Sequence, residues 1–185
     1  DNTLPVVNIS AASLPYAKNG TSVTYTVTYT ETNPSTYDLK VSDITLNTTG
    51  TASGTVGVAN GGTSSATVTI SGVTGDGTLG ITIGAGVATD LAGNTSAGTG
   101  ASGTFVVDNT LPTLTSVSIS SDYSPTNLAM SGSNITLSLT ASEALGALPT
   151  VTIATKTASV VHVSGNSYTA TYTMTSGDHG DPIAF

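Results

Sequence analysis

Apolar and polar residues alternate along most of this chain, the period of two that sends one face of a strand to a core and the other to water. The clearest run is residues 21–30, where Val23, Tyr25, Val27 and Tyr29 alternate with Thr. Thr suits the wet face because it is β-branched yet polar. Residues 6–10, 38–46, 54–59, 65–71, 79–84 and 104–107 read as further strands. Pro5 is allowed at the start of the first. Turn formers separate them: Lys18-Asn19-Gly20, Asn60-Gly61-Gly62, Gly75-Asp76-Gly77 and Ala92-Gly93-Asn94. No stretch carries a helical period. About seven short strands so punctuated in roughly 105 residues predict an all-β fold, an antiparallel β-sandwich.

A repeat divides the chain. Asp1-Asn2-Thr3-Leu4-Pro5 recurs as Asp108-Asn109-Thr110-Leu111-Pro112. Recurrence at domain-sized spacing marks the joint between tandem copies of one module, giving domains 1–107 and 108–185. The copies superpose as sequences. Residues 135–143 match 23–31, apolar on apolar and Glu143 on Glu31, residues 168–173 match 66–71, and Gly177-Asp178 falls on Gly75-Asp76. The second copy reaches Phe185 where the first is near Ile83, so it has no counterpart of 87–107 and is expected to be an incomplete sandwich with an open edge. The chain reads as a fragment of a longer protein, its second module truncated, disordered beyond this point or completed by another molecule.

Composition narrows the function. Thr and Ser together number 61, a mixture that suggests disorder until the 37% hydrophobic content and its regular alternation are counted. Three Lys, no Arg and 11 acidic residues cannot form a phosphate-neutralising surface, so nucleic-acid binding is excluded and anionic membranes are disfavoured. No apolar run is long enough to span a bilayer. Cysteine is absent, so neither disulfides nor thiolates contribute. No nucleophile elbow or phosphate loop is present, and the two histidines, His162 and His179, read as a surface-strand and a loop residue. Lys40 is out of phase with Leu39 and Val41 and points outward, against an internal isopeptide. No enzyme is expected.

The carboxylates fall in loops. Successive loops of a seven-strand sandwich alternate between its poles, so Asp1, Glu31 and Asp90 are expected to converge at one pole. Asp76 belongs at the other, where it would approach Asp108, Asn109 and Glu143 across the joint. Oxygen-only donors of this kind suit Ca²⁺, and few carboxylates per site suggest weak binding in the extracellular millimolar range. A cation there would stiffen a flexible joint. The alternative is that these residues are ordinary Asx turns needing no metal. Asp38, Asp43, Asp122 and Asp181 read as solvated surface.

The repeated DNTLP, the strands ending at Glu31 and Glu143, GDGTLGI at 75–81 and TDLAGN at 89–94, in that order, resemble bacterial Ig-like repeat domains of large surface proteins and repetitive adhesins. The resemblance implies tandem Ig-like sandwiches in a secreted, cell-surface or filamentous protein, where they serve as stalk or spacer beside neighbouring repeats. The alternatives are a module that binds carbohydrate or another cell, and a subunit that assembles laterally or by strand donation. Tyr16, Tyr37 and Tyr123 are the aromatics left over once the strand-face tyrosines are assigned to cores. Clustered, they would favour binding; scattered or packed away, a spacer.

Overall fold

The computed structural model describes residues 2–178. Those residues form strands and loops, with one three-residue 3-10 turn, Val41–Asp43. The chain divides into two compact units, Asp1–Thr110 and Leu111–Phe185. Asp108, Asn109 and Thr110, which the repeat places at the head of the second domain, therefore go with the first.

The first unit contains β1 (Val6–Ile9), β2 (Tyr16–Ala17), β3 (Val23–Thr30), β4 (Pro34–Tyr37), β5 (Ile44–Thr48), β6 (Ser53–Ala59), β7 (Ser65–Thr74), β8 (Gly77–Ile83), β9 (Ala88–Asp90) and β10 (Phe105–Val107). One sheet runs β1-β3-β7-β6 and the other β2-β10-β8-β5, with β4-β9 a separate ribbon. Register explains the core. Val23 lies opposite Ile70, Tyr25 opposite Val68 and Val27 opposite Ala66, so six apolar side chains share one face. Leu79, Ile81 and Ile83 of β8, with Phe105 and Val107 of β10, complete the same buried cluster from the second sheet. Each aliphatic side chain so buried stabilises the fold by about 1.5–3 kcal/mol. The phenol of Tyr25 is buried in this core and donates to Gly103 O at 2.9 Å, tethering the entry to β10.

The first unit departs from expectation between residues 38 and 46. A single strand was expected; instead the 3-10 turn intervenes and β5 begins only at Ile44. The Asp43 carboxylate accepts the Lys40 amide at 2.8 Å, and Lys40 O accepts the Asp43 amide at 3.1 Å. This local closure outcompetes the ladder. Lys40 is exposed and paired with Asp38. Strands β2, β4 and β9 are too short for alternation to reveal.

The second unit contains β11 (Leu114–Ser121), β12 (Asn134–Ala141), β13 (Thr152–Ile153), β14 (Lys156–Thr157), β15 (Ser159–Ser164) and β16 (Ser167–Thr173). Its sheet runs β11-β12-β16-β15, beside the β13-β14 hairpin. Leu137 lies opposite Ala170 and Leu139 opposite Tyr168, as Tyr25 lies opposite Val68 and Val27 opposite Ala66 in the first unit. The core is Ile135, Leu137, Leu139, Ala141, Tyr168 and Ala170, closed by Ile153, Ala158 and Met174. Among the described residues no strand follows β16. The protein is thus all-β, with its fullest core sandwiched between two sheets of the first unit. No helix among the described residues is long and apolar enough to cross a membrane.

Candidate functional site

The segment leaving β10 is held by the loop between β7 and β8. That loop, Gly75-Asp76-Gly77, runs against the backbone of the turn at 49–52. Asp76 O accepts the Thr51 amide at 2.8 Å, and Thr51 Oγ1 accepts the Asp76 amide at 3.0 Å. A Cβ on Gly75 would lie 2.1 Å from Thr51 O, and one on Gly77 2.1 Å from Thr49 O, while both residues have positive φ, +73° and +145°. Only glycine fits either place. The sequence Gly-Asp-Gly therefore fixes where the Asp76 carboxylate stands.

Asn109 docks there. Its main-chain N–H donates to Asp76 Oδ1 at 2.6 Å and its side-chain amide donates to Gly75 O. Its side-chain carbonyl accepts the Asn19 N–H at 2.6 Å. Asn19 is presented by the turn after β2, closed by Thr21 N–H donating to Lys18 O at 2.9 Å. One residue thus bridges two loops of the first unit as donor and acceptor at once, which an amide side chain can do and a carboxylate cannot. Asp108 is the preceding peg. Its N–H donates to Ala17 O at 3.0 Å, and its Oδ1 accepts the Thr110 N–H at 3.0 Å, an Asx turn.

The far side of the joint is tied to the second unit. Thr113 N–H donates to Ser142 Oγ at 2.9 Å, and Ser142 N–H donates to Thr113 O at 2.7 Å. Between the clasped Asn109 and the anchored Thr113 lie Thr110, Leu111 and Pro112. Thr110 is in the Asx turn, Pro112 has its φ fixed by its ring, and Leu111, preceding proline, is restricted to extended backbone.

The remaining expected ligands are distributed as follows. Asp90 is 2% exposed, its Oδ1 accepting the Asn94 N–H and its Oδ2 the Asn94 side-chain amide, both at 2.8 Å. The Asn94 side-chain amide, with backbone amides behind it and burial opposing, holds the Asp90 carboxyl below its ordinary range. Glu31 lies in the adjoining loop, because Pro34 pairs with Asp90 and Leu91 N–H donates to Asn33 O at 3.0 Å. Its Oε1 accepts the Asn33 N–H at 2.9 Å. Asp1 lies outside the described residues, as do His179 and Asp181. Glu143 is half-buried in the second unit. Among the described residues, no three His, Cys, Asp or Glu side chains come together as metal ligands. Asp76 and Asp108 flank Asn109, and each has one oxygen engaged with a backbone amide. Their second oxygens have no hydrogen-bond partner among the described residues.

Sequence reasoning missed two clamps. Asp122, read as solvated surface, accepts the Asn134 main-chain and side-chain amides at 2.8 and 2.9 Å, the same Asp–Asn clamp as Asp90 with Asn94. An Asp at a strand end and an Asn at the next strand start was the available signal. Asp178 accepts the Thr175 N–H at 2.6 Å and the Tyr172 hydroxyl at 2.8 Å. The Thr175 amide first, then that hydroxyl, hold its carboxyl low.

The leftover tyrosines are distributed over both units. Tyr37 stacks on Tyr29 with ring centroids 4.7 Å apart. Tyr16 is 70% exposed on β2, in a different sheet of the same unit. Tyr123 belongs to the second unit. No protein-family model matches this sequence, and no curated protein matches it either.

Proposed function

We propose that this chain is a pair of Ig-like spacer modules from a secreted or surface-exposed bacterial protein of the adhesin type, acting mechanically and without catalysis. The observation that carries this reading is the joint. The repeated phrase Asp-Asn-Thr-Leu-Pro is a clasp in which Asn109 closes on the module it leaves. Thr113 then engages the next, and three conformationally restricted residues remain between. Short, restricted connections transmit orientation, which is what a stalk needs and a freely jointed linker lacks. The separation of Tyr16 from Tyr37, and the packing of Tyr37 on Tyr29, support a spacer over a sugar-binding face, which uses exposed aromatics. The acidic surface with almost no cations suits solubility outside the cell and no polyanionic partner.

Calcium has a place in this proposal as a reinforcement. The clasp stands by hydrogen bonding alone, and two carboxylates are short of the six to eight oxygens that Ca²⁺ takes. Asp76 and Asp108 would supply the protein carboxylates, with main-chain carbonyls and water as the further donors proposed. Thermal unfolding of the chain in EDTA and across micromolar to ten-millimolar calcium tests it. A rise in Tm with calcium that Asp108→Ala abolishes supports reinforcement by the metal. A flat response in the wild type leaves the clasp as the sole stiffener and removes calcium from the account.

A further inference from the structure

The chain contains two Asn-Gly pairs, Asn19-Gly20 and Asn60-Gly61, and the fold treats them differently. Glycine after asparagine leaves the main-chain nitrogen open to the neighbouring side-chain amide, because no Cβ shields it. Whether the two groups meet depends on how freely the peptide between them turns, since a planar peptide moves only through the dihedrals on either side.

Asn60-Gly61 is held. It lies in the turn between β6 and β7, where the Asn60 carbonyl accepts the Thr63 N–H at 3.0 Å and the Thr63 hydroxyl at 2.9 Å. Gly61 O accepts the Leu39 N–H at 3.1 Å, and a Cβ on Gly61 would stand 2.0 Å from Leu39 O, so this backbone is packed against its neighbour. Turning the peptide breaks the bonds to Thr63.

Asn19-Gly20 is not held in this way. Both residues are exposed, and a Cβ on Gly20 would meet nothing within 4 Å. The Asn19 carbonyl and the Gly20 N–H are the two polar ends of this peptide. Among the described residues neither has a hydrogen-bond partner, and the Asn19 side chain has none either. The turn is closed around them, by Thr21 N–H donating to Lys18 O at 2.9 Å and Lys18 N–H donating to Thr21 Oγ1 at 3.2 Å. Gly20, at φ +82°, tolerates either orientation of the peptide. A turn closed at its ends and free in its middle lets the Gly20 nitrogen reach the Asn19 side chain. Asn19 also donates its own N–H to Asn109 Oδ1, so chemistry in this turn reaches the joint.

We propose that Asn19 is a self-modification site through which the joint ages. The Gly20 nitrogen attacks Asn19 Cγ. The N–Cγ bond forms, the Cγ–Nδ2 bond breaks, and the proton of the attacking nitrogen leaves with Nδ2 as ammonia. Water then opens the succinimide ring at one carbonyl or the other, giving aspartate or isoaspartate. Either product adds a negative charge to a clasp that already holds the Asp76 carboxylate. Isoaspartate also lengthens the turn by one backbone atom, which shifts the N–H that Asn109 accepts. The consequence for the joint rests on the clasp as its stiffening element; the modification itself does not.

The test is incubation of the intact chain at 37 °C between pH 7 and 9, with peptide mapping by mass spectrometry of amide-to-acid conversion at Asn19 and Asn60. The proposal expects conversion at Asn19 at least fivefold faster than at Asn60 in the folded chain, faster at higher pH, and a contrast that collapses in denaturant, where only the sequence acts. Asn19→Gln keeps the main-chain N–H that Asn109 accepts and forms the cyclic imide far more slowly. Amide hydrogen exchange at the Asn109 main chain should accelerate at least fivefold in aged wild type and stay unchanged in aged Asn19→Gln. Conversion at Asn60 as fast as at Asn19 in the folded chain overturns the proposal, as does a contrast that persists in denaturant. Wild type converted at Asn19 with unchanged exchange at Asn109 also overturns it. A joint already freely moving in fresh protein, with the contrast between Asn19 and Asn60 intact, overturns the clasp reading and keeps the modification.

Discussion

Asn109 donates through its main chain and its side chain and accepts through its carbonyl, so its neighbours select an amide at that position. Asn109→Asp removes the donor to Gly75 O and sets a second carboxylate beside Asp76. It should destabilise the first unit by about 1–3 kcal/mol in chemical denaturation. Asp108→Asn keeps the acceptor for Thr110 N–H and should change stability by less than about 0.5 kcal/mol. Gly75→Ala meets a main-chain carbonyl and demands positive φ from an L side chain, and should cost about 2–3 kcal/mol. The Asp90 clamp predicts a pH dependence. Its folded pKa lies below its unfolded value, so its contribution is complete above the unfolded value, near 4, and is lost as pH falls through the folded one. Tm measured from pH 2 to 5 should therefore fall less steeply in Asn94→Ala than in the wild type; identical slopes would remove the clamp from the acid response. The recurrence of Asp-Asn-Thr made Asp108 and Asn109 legible as a joint. Asn19 was not, because nothing in a two-residue turn 90 positions away announces its partner.

At the scale of elements, alternation located the long strands because each has one face in a core. β3, β7 and β8 were expected at nearly their observed positions, and Val23, Tyr25 and Val27 on one buried face. β2 and β9, of two and three residues, carry less than two periods and owe their pairing to neighbours. The turn at Val41–Asp43 was hidden in an apparently continuous strand because the Asp43 carboxylate decides it. Ile81→Ala, in the centre of β8, should destabilise the first unit by about 3 kcal/mol, measured by denaturant midpoint with an unchanged slope. The β13-β14 hairpin turns on Ala154 and Thr155 with φ of +50° and +66°. Thr155→Gly relieves a β-branched residue of that conformation and should stabilise the second unit by about 1 kcal/mol.

The whole molecule is two all-β units joined through three residues between Asn109 and Thr113. The repeat made the division visible in the sequence, and the hydrogen bonds of Asn109 place its boundary after Thr110 instead of before Asp108. We propose that this joint is stiff because its ends are clasped and its middle is restricted. The measurement that meets it directly is the distance distribution between two spin labels, one on an exposed site of each unit, by pulsed electron paramagnetic resonance. The wild type should give one narrow distribution, and Asn109→Ala combined with Pro112→Gly should at least double its width. A broad wild-type distribution that neither substitution changes would contradict the account and leave the modules freely jointed.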